Sequence, residues 1–480
     1  MNRYLCILLV GISLSQAGCT MAPKYSRPAA PVPAGWPSGE AYKDAPAATD
    51  APEAQNLGWK EFFADGKLQQ VIGTALTNNR DLRLAALNVE LARALYGIQR
   101  AELLPAVNAV GGGLRKRVPA DLSSSGTRSI TEQYSADLGI ASWEIDFFGR
   151  LRSLKDRALE EYLATEQVQR STQILLVASV ANAYLTLAAD RENLALAEST
   201  LATQQGSYDL IKRRHALGLV TDLDLYRAQA QVDTARGNLA RYQQLAAQDE
   251  NALNLLLGTP ARSELLPREL SGVIPPKEIS SGLSSEVLLR RPDVLQAESL
   301  LRSANANIGV ARATFFPRIS LTAALGTASK DLSNLFNRGQ GTWNFTPQIA
   351  MPIFDARIWS AHKAAKVQRE MVVAQYEKTI QSAFKEVADT LAARGTVGQQ
   401  LSAQQSLVTA LAETYRLSTS RYNKGIDSYL SVLDAQRSLY AAQQGLVSLR
   451  LAKLANDVRL YAVLGGGWQT QHEQSSIPTP

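Results

Sequence analysis

The strongest constraint on this chain is that it repeats itself. RHALGLVTDLDLYRAQ at 214–229 returns as RYNKGIDSYLSVLDAQ at 421–436, and Arg214/Arg421, Gly218/Gly425, Leu223/Leu430 and Gln229/Gln436 are each 207 positions apart. The same shift carries Tyr208 to Tyr415, Leu239 to Leu446 and Leu257-Gly258 to Leu464-Gly465. Each copy reads as the end of one helix, a tight turn at glycine and the start of another. The chain must therefore build two similar helical hairpins.

The duplication reaches further back in a second register. Asp81, Ala85, Ala92, Gly97, Arg100 and Pro105 recur 212 positions later as Asp293, Ala297, Ala304, Gly309, Arg312 and Pro317. The first copy thus carries five extra residues, expected in a loop near Ser123–Ser129. Between Lys67 and Leu103 apolar residues recur at helical spacing and predict one helix. After each proline the period drops to two. Tyr134, Ala136, Leu138 and Ile140 alternate with polar or small residues, as do Ile319, Leu321, Ala323 and Leu325. Trp343, Phe345, Pro347, Ile349 and Met351 share one face opposite Asn344, Thr346 and Gln348; Pro347 costs that strand a ladder bond. The strand at Val107–Leu114 contains Gly111-Gly112-Gly113 and is accepted because its copy is a strand.

Two readings compete for these strands. One is an antiparallel sheet with one wet face. The other is a transmembrane barrel, apolar toward lipid and polar toward a lumen, with Tyr134, Trp143 and Trp343 near the interfaces. The barrel is preferred, because little other apolar material lies nearby for such a sheet to cover. Four strands cannot close a barrel, which needs about eight and tolerates no open edge in lipid. The barrel must be shared among copies of the chain.

From Arg150 to Ala216 there is no proline and apolar residues recur in helical rows; the copy runs from Ile358 to Tyr422. A helix of about 65 residues is about 100 Å long and needs partners along its length. A periplasm-crossing tube of antiparallel helices fits, and a soluble coiled-coil scaffold is the alternative. Aromatics are only 7% of the chain, and the formal charge of +6 is spread along helices without a block of like charge. Solvated helix faces account for that pattern and no nucleic-acid partner is expected.

At the N-terminus Arg3, an apolar run from Leu5 to Leu14 and Gln16-Ala17-Gly18-Cys19 form a signal peptide, too short to span a bilayer. Ala17-Gly18-Cys19 resembles a lipobox, although Gln16 is atypical; the plainer reading is an ordinary signal peptide with an incidental cysteine. PKYSRPAAPVPAGWP then predicts an extended tether. The expected organisation is a signal peptide (1–18), a lipid-anchored extended segment (19–60), a first repeat (61–258), a linker (259–285), a second repeat (286–465) and a tail (466–480). The β-hairpins are placed at about 105–148 and 317–354, and the long helical hairpins at 150–257 and 356–464.

No enzyme site is evident. His215, His362 and His472 show no ligand spacing, no thiolate cluster exists, and no phosphate-cradling glycine loop follows a strand.

Several stretches are similar to the outer-membrane efflux factors: LLRRPDVLQAESLLRSANANIGVARATFFPRISL at 288–321, WEIDFFGRLR at 143–152, RYNKGIDSYLSVLDAQRSLY at 421–440 and YAVLGGGW at 461–468. The lipobox and the proline-rich segment resemble the lipoprotein branch of the OprM/NodT kind rather than TolC itself. The resemblance implies a mixed fold: mainly long antiparallel α-helical hairpins forming a periplasmic α-barrel, with four strands per chain in a shared trimeric 12-stranded transmembrane β-barrel. It implies the exit duct of a tripartite efflux pump, a homotrimer in outer-membrane lipid. Its partners would be a periplasmic adaptor and an inner-membrane transporter of the RND type. No cofactor is implied beyond an N-acyl diacylglycerol group on Cys19.

By the same resemblance the channel gate would lie near the helical turns. Asp434 matches the aspartate of an acidic ring, Leu430 an apolar plug and Tyr422 a tyrosine of the restraining network; Ser431 stands where some members carry a second aspartate. Arg227, repeat mate of Asp434, is expected to join closure with Asp224. Gly218, Leu219, Thr221, Gly425 and Asp427 resemble the adaptor-contacting tips. Read without the family, these acids, bases and glycines are ordinary complements of helix ends.

Overall fold

The structure, a computed structural model, describes residues 20–43, 52–124, 126–280 and 284–468. Within them run α1 (Gly66–Asn78), α2 (Arg80–Ala101), β1 (Val107–Val118), β2 (Ser129–Glu144), α3 (Arg150–Ala216) and α4 (Asp222–Leu257). The second repeat supplies α5 (Pro292–Ala313), β3 (Arg318–Ser329), β4 (Gly341–Ala350), α6 (Ala356–Asn423) and α7 (Tyr429–Val463). Two compact units divide the chain. One gathers Asn88–Glu166 and Gln296–Tyr376 with the N-terminal stretch to Ala29; the other holds Ala30–Leu87, Gln167–Leu295 and Glu377 onward.

In the first unit the four strands form one antiparallel sheet in the order β1-β2-β3-β4. Pro347 sits on β4, the last strand of the chain's own sheet, opposite Leu321 of β3. The five additional residues of the first copy do not lengthen the loop as expected. The strand-to-strand connections span 119–128 and 330–340, nearly equal, whereas β2 has 16 residues against 10 in β4. The added length is paired strand: Ser129–Gln133 continue the ladder onto Leu114–Val118.

The segment 143–152 joins sheet to helix. The Glu144 carboxylate, buried, receives both arms of the Arg150 fork at 2.8 Å, and Asp146 accepts from the Leu151 and Arg152 amides at 3.2 and 2.8 Å. Asp146 thus satisfies orphan donors at the start of α3, whose 67 residues then run unbroken.

In the second unit Phe62, Phe63, Leu68, Val71, Ile72 and Tyr461 are buried. Phe62 stacks on Tyr461 at 3.9 Å between centroids, and the Tyr461 hydroxyl donates to the Leu57 carbonyl at 2.6 Å. The chain turns sharply back over that ring at Gly466, where any Cβ would lie 2.2 Å from it. The apolar middle of α3 (Val177, Val180, Ala181, Tyr184, Leu187, Ala188) is buried in this unit rather than turned outward.

The single helix expected over Lys67–Leu103 is two. Asn79 is extended (φ −61°, ψ 133°); its Oδ1 accepts from the Leu82 amide and its Nδ2 donates to the Leu256 carbonyl, both at 2.9 Å. One side chain caps α2 and ties the break to the end of α4. The tether is extended, as expected, but partly packed. In the first unit Arg27 grips Glu298, 3% exposed, at 2.6 and 3.0 Å, and Asn305 donates to the Pro23 carbonyl at 2.7 Å. In the second unit Trp36 stacks on Phe384 at 5.3 Å, and the Ala41 carbonyl lies so close to Gly395 that a Cβ there would be 2.2 Å away.

Candidate functional site

The two helical turns are built alike. Gly218 and Gly425 adopt left-handed φ values of 70° and 72°. The Leu219 amide donates to the Arg214 carbonyl at 2.9 Å and the Gly218 amide to that of His215 at 2.8 Å. The second copy repeats both bonds, Ile426 to Arg421 and Gly425 to Tyr422, at 3.0 Å each. This pairing closes the last carbonyls of a helix and favours glycine, which has no Cβ to clash. Leu217, Leu219 and Ile426 are left well exposed at the turns.

The helices that leave these turns are capped differently. Thr221 and Asp224 form a reciprocal capping box: the Thr221 hydroxyl accepts from the Asp224 amide at 3.3 Å and donates to the Asp224 carboxylate at 2.9 Å. Ser428 caps α7 without a side-chain bond. Instead Asp427 takes the Arg421 guanidinium at 2.5 and 3.0 Å, which holds its carboxyl below the usual range.

Behind the turns Ile211, Ala228, Tyr429, Val432 and Leu433 form a buried cluster, with Tyr208, Val220, Leu225, Tyr415 and Tyr422 packed against it. Tyr422 lies 5.2 Å from the Tyr429 ring, and burial pushes the Tyr429 phenol up. The Tyr422 hydroxyl accepts from Arg214 Nη1 at 3.0 Å, and the same guanidinium lies 5.3 Å from the ring centroid. Tyr422 therefore joins the turn of the second copy to the helix end of the first.

Leu430 and Asp434 stand one turn apart on the exposed face of α7, and Asp434 pairs with Arg437. The structure does not bring Arg227 to either acid. Asp224 is engaged with Thr221, Asp434 with Arg437, and among the described residues Arg227 has no ion-pair partner. Sequence reasoning missed Arg437, though its i, i+3 spacing from Asp434 was readable, and the Arg214–Tyr422 bond, whose members lie 208 residues apart. His215 Nε2 also meets Asp222 Oδ1 at 2.7 Å. Cys19 lies outside the described residues.

The sheet is the other functional surface. Cross-strand registry places Leu138, Leu325 and Trp343 side by side on one face, with Ile140, Ala323 and Phe345 in the next row. On the other face Gly139, Ala324 and Asn344 align, followed by Thr322 with Thr346 and Ser320 with Gln348. Leu138, Leu325, Trp343 and Phe345 are at least half exposed. Rows of large apolar side chains left uncovered opposite a polar face suit a wall between lipid and water.

The family model described as outer membrane efflux protein matches residues 71–259 and 283–466. The chain is 52% identical to the probable efflux pump outer membrane protein TtgC of Pseudomonas putida, over 96% of each chain. It is 41% identical to the cation efflux system protein CusC of Escherichia coli, over 95% of this chain and 98% of that one. The crystal structure of the open state of the MtrE outer membrane channel of Neisseria gonorrhoeae superposes with a TM-score of 0.84 at 36% identity, covering 94% of this chain and 99% of that one. With its duplicated helical hairpins and two-faced sheet, this chain belongs to the outer membrane efflux protein family and is an outer-membrane efflux channel.

Proposed function

We propose that the chain forms a homotrimeric exit duct of a tripartite pump, closed at the α3–α4 and α6–α7 turns and passively conducting small molecules delivered from an inner-membrane transporter. The observation that carries this reading is the sheet: four strands with one apolar and one polar face and two free edges, a third of a wall that only further copies can close. Three copies supply twelve strands. They also bring three Asp434 carboxylates and three Leu430 side chains toward one axis. An acidic ring attracts cations and repels itself, and the Arg437 partner on each chain offsets that repulsion.

The turns, with exposed Leu219 and Ile426 flanking Gly218 and Gly425, are the surface offered to a periplasmic adaptor, Thr221 and Asp427 fixing its shape. The transporter is of the RND type. Cys19 carries the N-acyl diacylglycerol group that anchors the extended segment following it to the outer membrane. Arg227 and Asp224 take part in closure, Asp224 through the cap it closes and Arg227 through the charge it keeps free.

Single-channel recording of purified protein in planar bilayers tests the proposal. The unmodified channel should show low resting conductance, and Asp434→Ala with Leu430→Ala should raise it severalfold. An unchanged closed state removes both residues from the gate, and the absence of any pore overturns the duct.

A further inference from the structure

The β1–β2 hairpin outruns the rest of the sheet. β3 follows β2 only as far as Tyr134, which faces Ser329, whereas Ser129–Gln133 pair with β1 alone. The register assigns each projecting side chain to a face. Leu138, Tyr134, Glu132 and Ile130 share the apolar face, and so do Arg115, opposite Glu132, and Arg117, opposite Ile130. Lys116, opposite Thr131, belongs to the polar face.

The same ladder gives heights on the wall. Trp143 lies opposite Leu321 on the apolar face, kept in phase by the bulge that follows Ile140, and Tyr134 lies opposite Ser329. That interval is about 26 Å of strand, which at a tilt of roughly 35–45° rises about 20 Å, near the ~25 Å apolar band of a membrane barrel. Trp143 and Tyr134 therefore mark the two rims. The Arg115–Glu132 rung stands about 25 Å above Trp143 and the Arg117 rung about 30 Å, at headgroup level on the side away from α2 and α3.

Charge collects at that rim. Among the described residues, the apolar face between Trp143 and Tyr134 holds no charged side chain. From Leu114 to Gln133 the chain carries Arg115, Lys116, Arg117 and Arg128 against Asp121 and Glu132. Arg115 meets Glu132 at 2.7 Å yet keeps 71% of its side chain exposed, and Arg117 is exposed with no carboxylate partner among the described residues. The two arginines alternate on one strand, about 7 Å apart on one face. Guanidinium forks take phosphate oxygens in pairs, and their aliphatic stems lie comfortably along an apolar wall.

We propose that Arg115 and Arg117 form a binding site for the phosphate groups of the glycolipid of the outer leaflet, lipopolysaccharide. With the helices on the periplasmic side, this rim faces that leaflet, and charge complementarity supplies the grip. Glu132 is a built-in competitor: it holds Arg115 until a lipid phosphate displaces it.

The full chain, purified in detergent, is titrated with diphosphoryl lipid A, and bound lipid is counted by native mass spectrometry. Arg115→Ala with Arg117→Ala should weaken binding about tenfold, whereas Lys116→Ala, on the other face, should leave it within about twofold. Glu132→Gln should tighten binding severalfold, a gain that misfolding could not produce. Unchanged affinity in the double variant overturns the site, as does an equal loss in Lys116→Ala. Equal binding of dephosphorylated lipid A or of phosphatidylglycerol also overturns it, because the phosphorylated glycolipid would then not be what is recognised. The assay contains neither adaptor nor transporter, so its failure leaves the proposed duct standing.

Discussion

Arg214 and Arg421 hold the same repeat position and do different work. Arg421 closes its own turn onto Asp427, while Val220 stands at the mate of Asp427 and leaves Arg214 without a local acid. Arg214 is therefore free to reach Tyr422, whose own mate, His215, is occupied with Asp222. The valine thus leaves Arg214 free to add a polar tie between two turns that the apolar cluster behind them already joins. Another residue-scale consequence concerns Asp249 on α4. Burial, then the neighbouring Asp190 carboxylate, push its carboxyl up to about 6. Between the unfolded value near 4 and that value the native state binds the extra proton, so stability falls as pH rises through this window. Asp249→Asn should add roughly 1 kcal/mol of stability at pH 7.5 after allowance for solvent screening, read as a higher thermal midpoint in detergent. At pH 4 it should change little, and thermal scans at the two pH values check this.

At the scale of elements the duplication did most to make the fold legible. It identified β1, although Gly111-Gly112-Gly113 carries no strand propensity of its own, and it placed both turns. It could not place the five-residue difference, because the serine-rich stretch at 123–129 has loop composition while β2 absorbs the length by extending its ladder. Nor could it show that Asn79 breaks α1 from α2, since the partner that fixes the break, the Leu256 carbonyl, is distant in sequence. Of the candidate site, the turns were readable from spacing, whereas Asp434 was named through the resemblance to the family's acidic ring. Arg227 was placed by repeat logic alone, which names a position but not a partner where the copies differ in charge. The turn glycines give a direct check. Gly425→Ala must hold an L-residue at φ 72°, at a cost of about 1 kcal/mol. Hydrogen exchange at the Ile426 amide should then quicken about fivefold, with Gly425→Asn closer to the unmodified rate.

For the whole molecule, the sheet decides where the protein resides. Alternate residues of β4 face lipid or water, so neighbouring substitutions should behave oppositely. Phe345→Arg puts a charge on the apolar face and should cost about 2–4 kcal/mol of insertion, seen as protein lost from the outer-membrane fraction. Thr346→Arg, on the polar face, should insert normally and shift ion selectivity toward anions in bilayer recordings. Equal loss of both would mean that the faces are not lipid and lumen.

The early residues are bound to late ones. Arg27 waits for Glu298, 271 positions downstream, Trp36 for Phe384 and Ala41 for the helix at Gly395. As the polypeptide emerges N-terminus first, more than three-quarters of it must be synthesised before that opening stretch can settle. Until then it is a loose end, and seating it becomes one of the final events of maturation, timed by the second repeat rather than by its own place in the sequence.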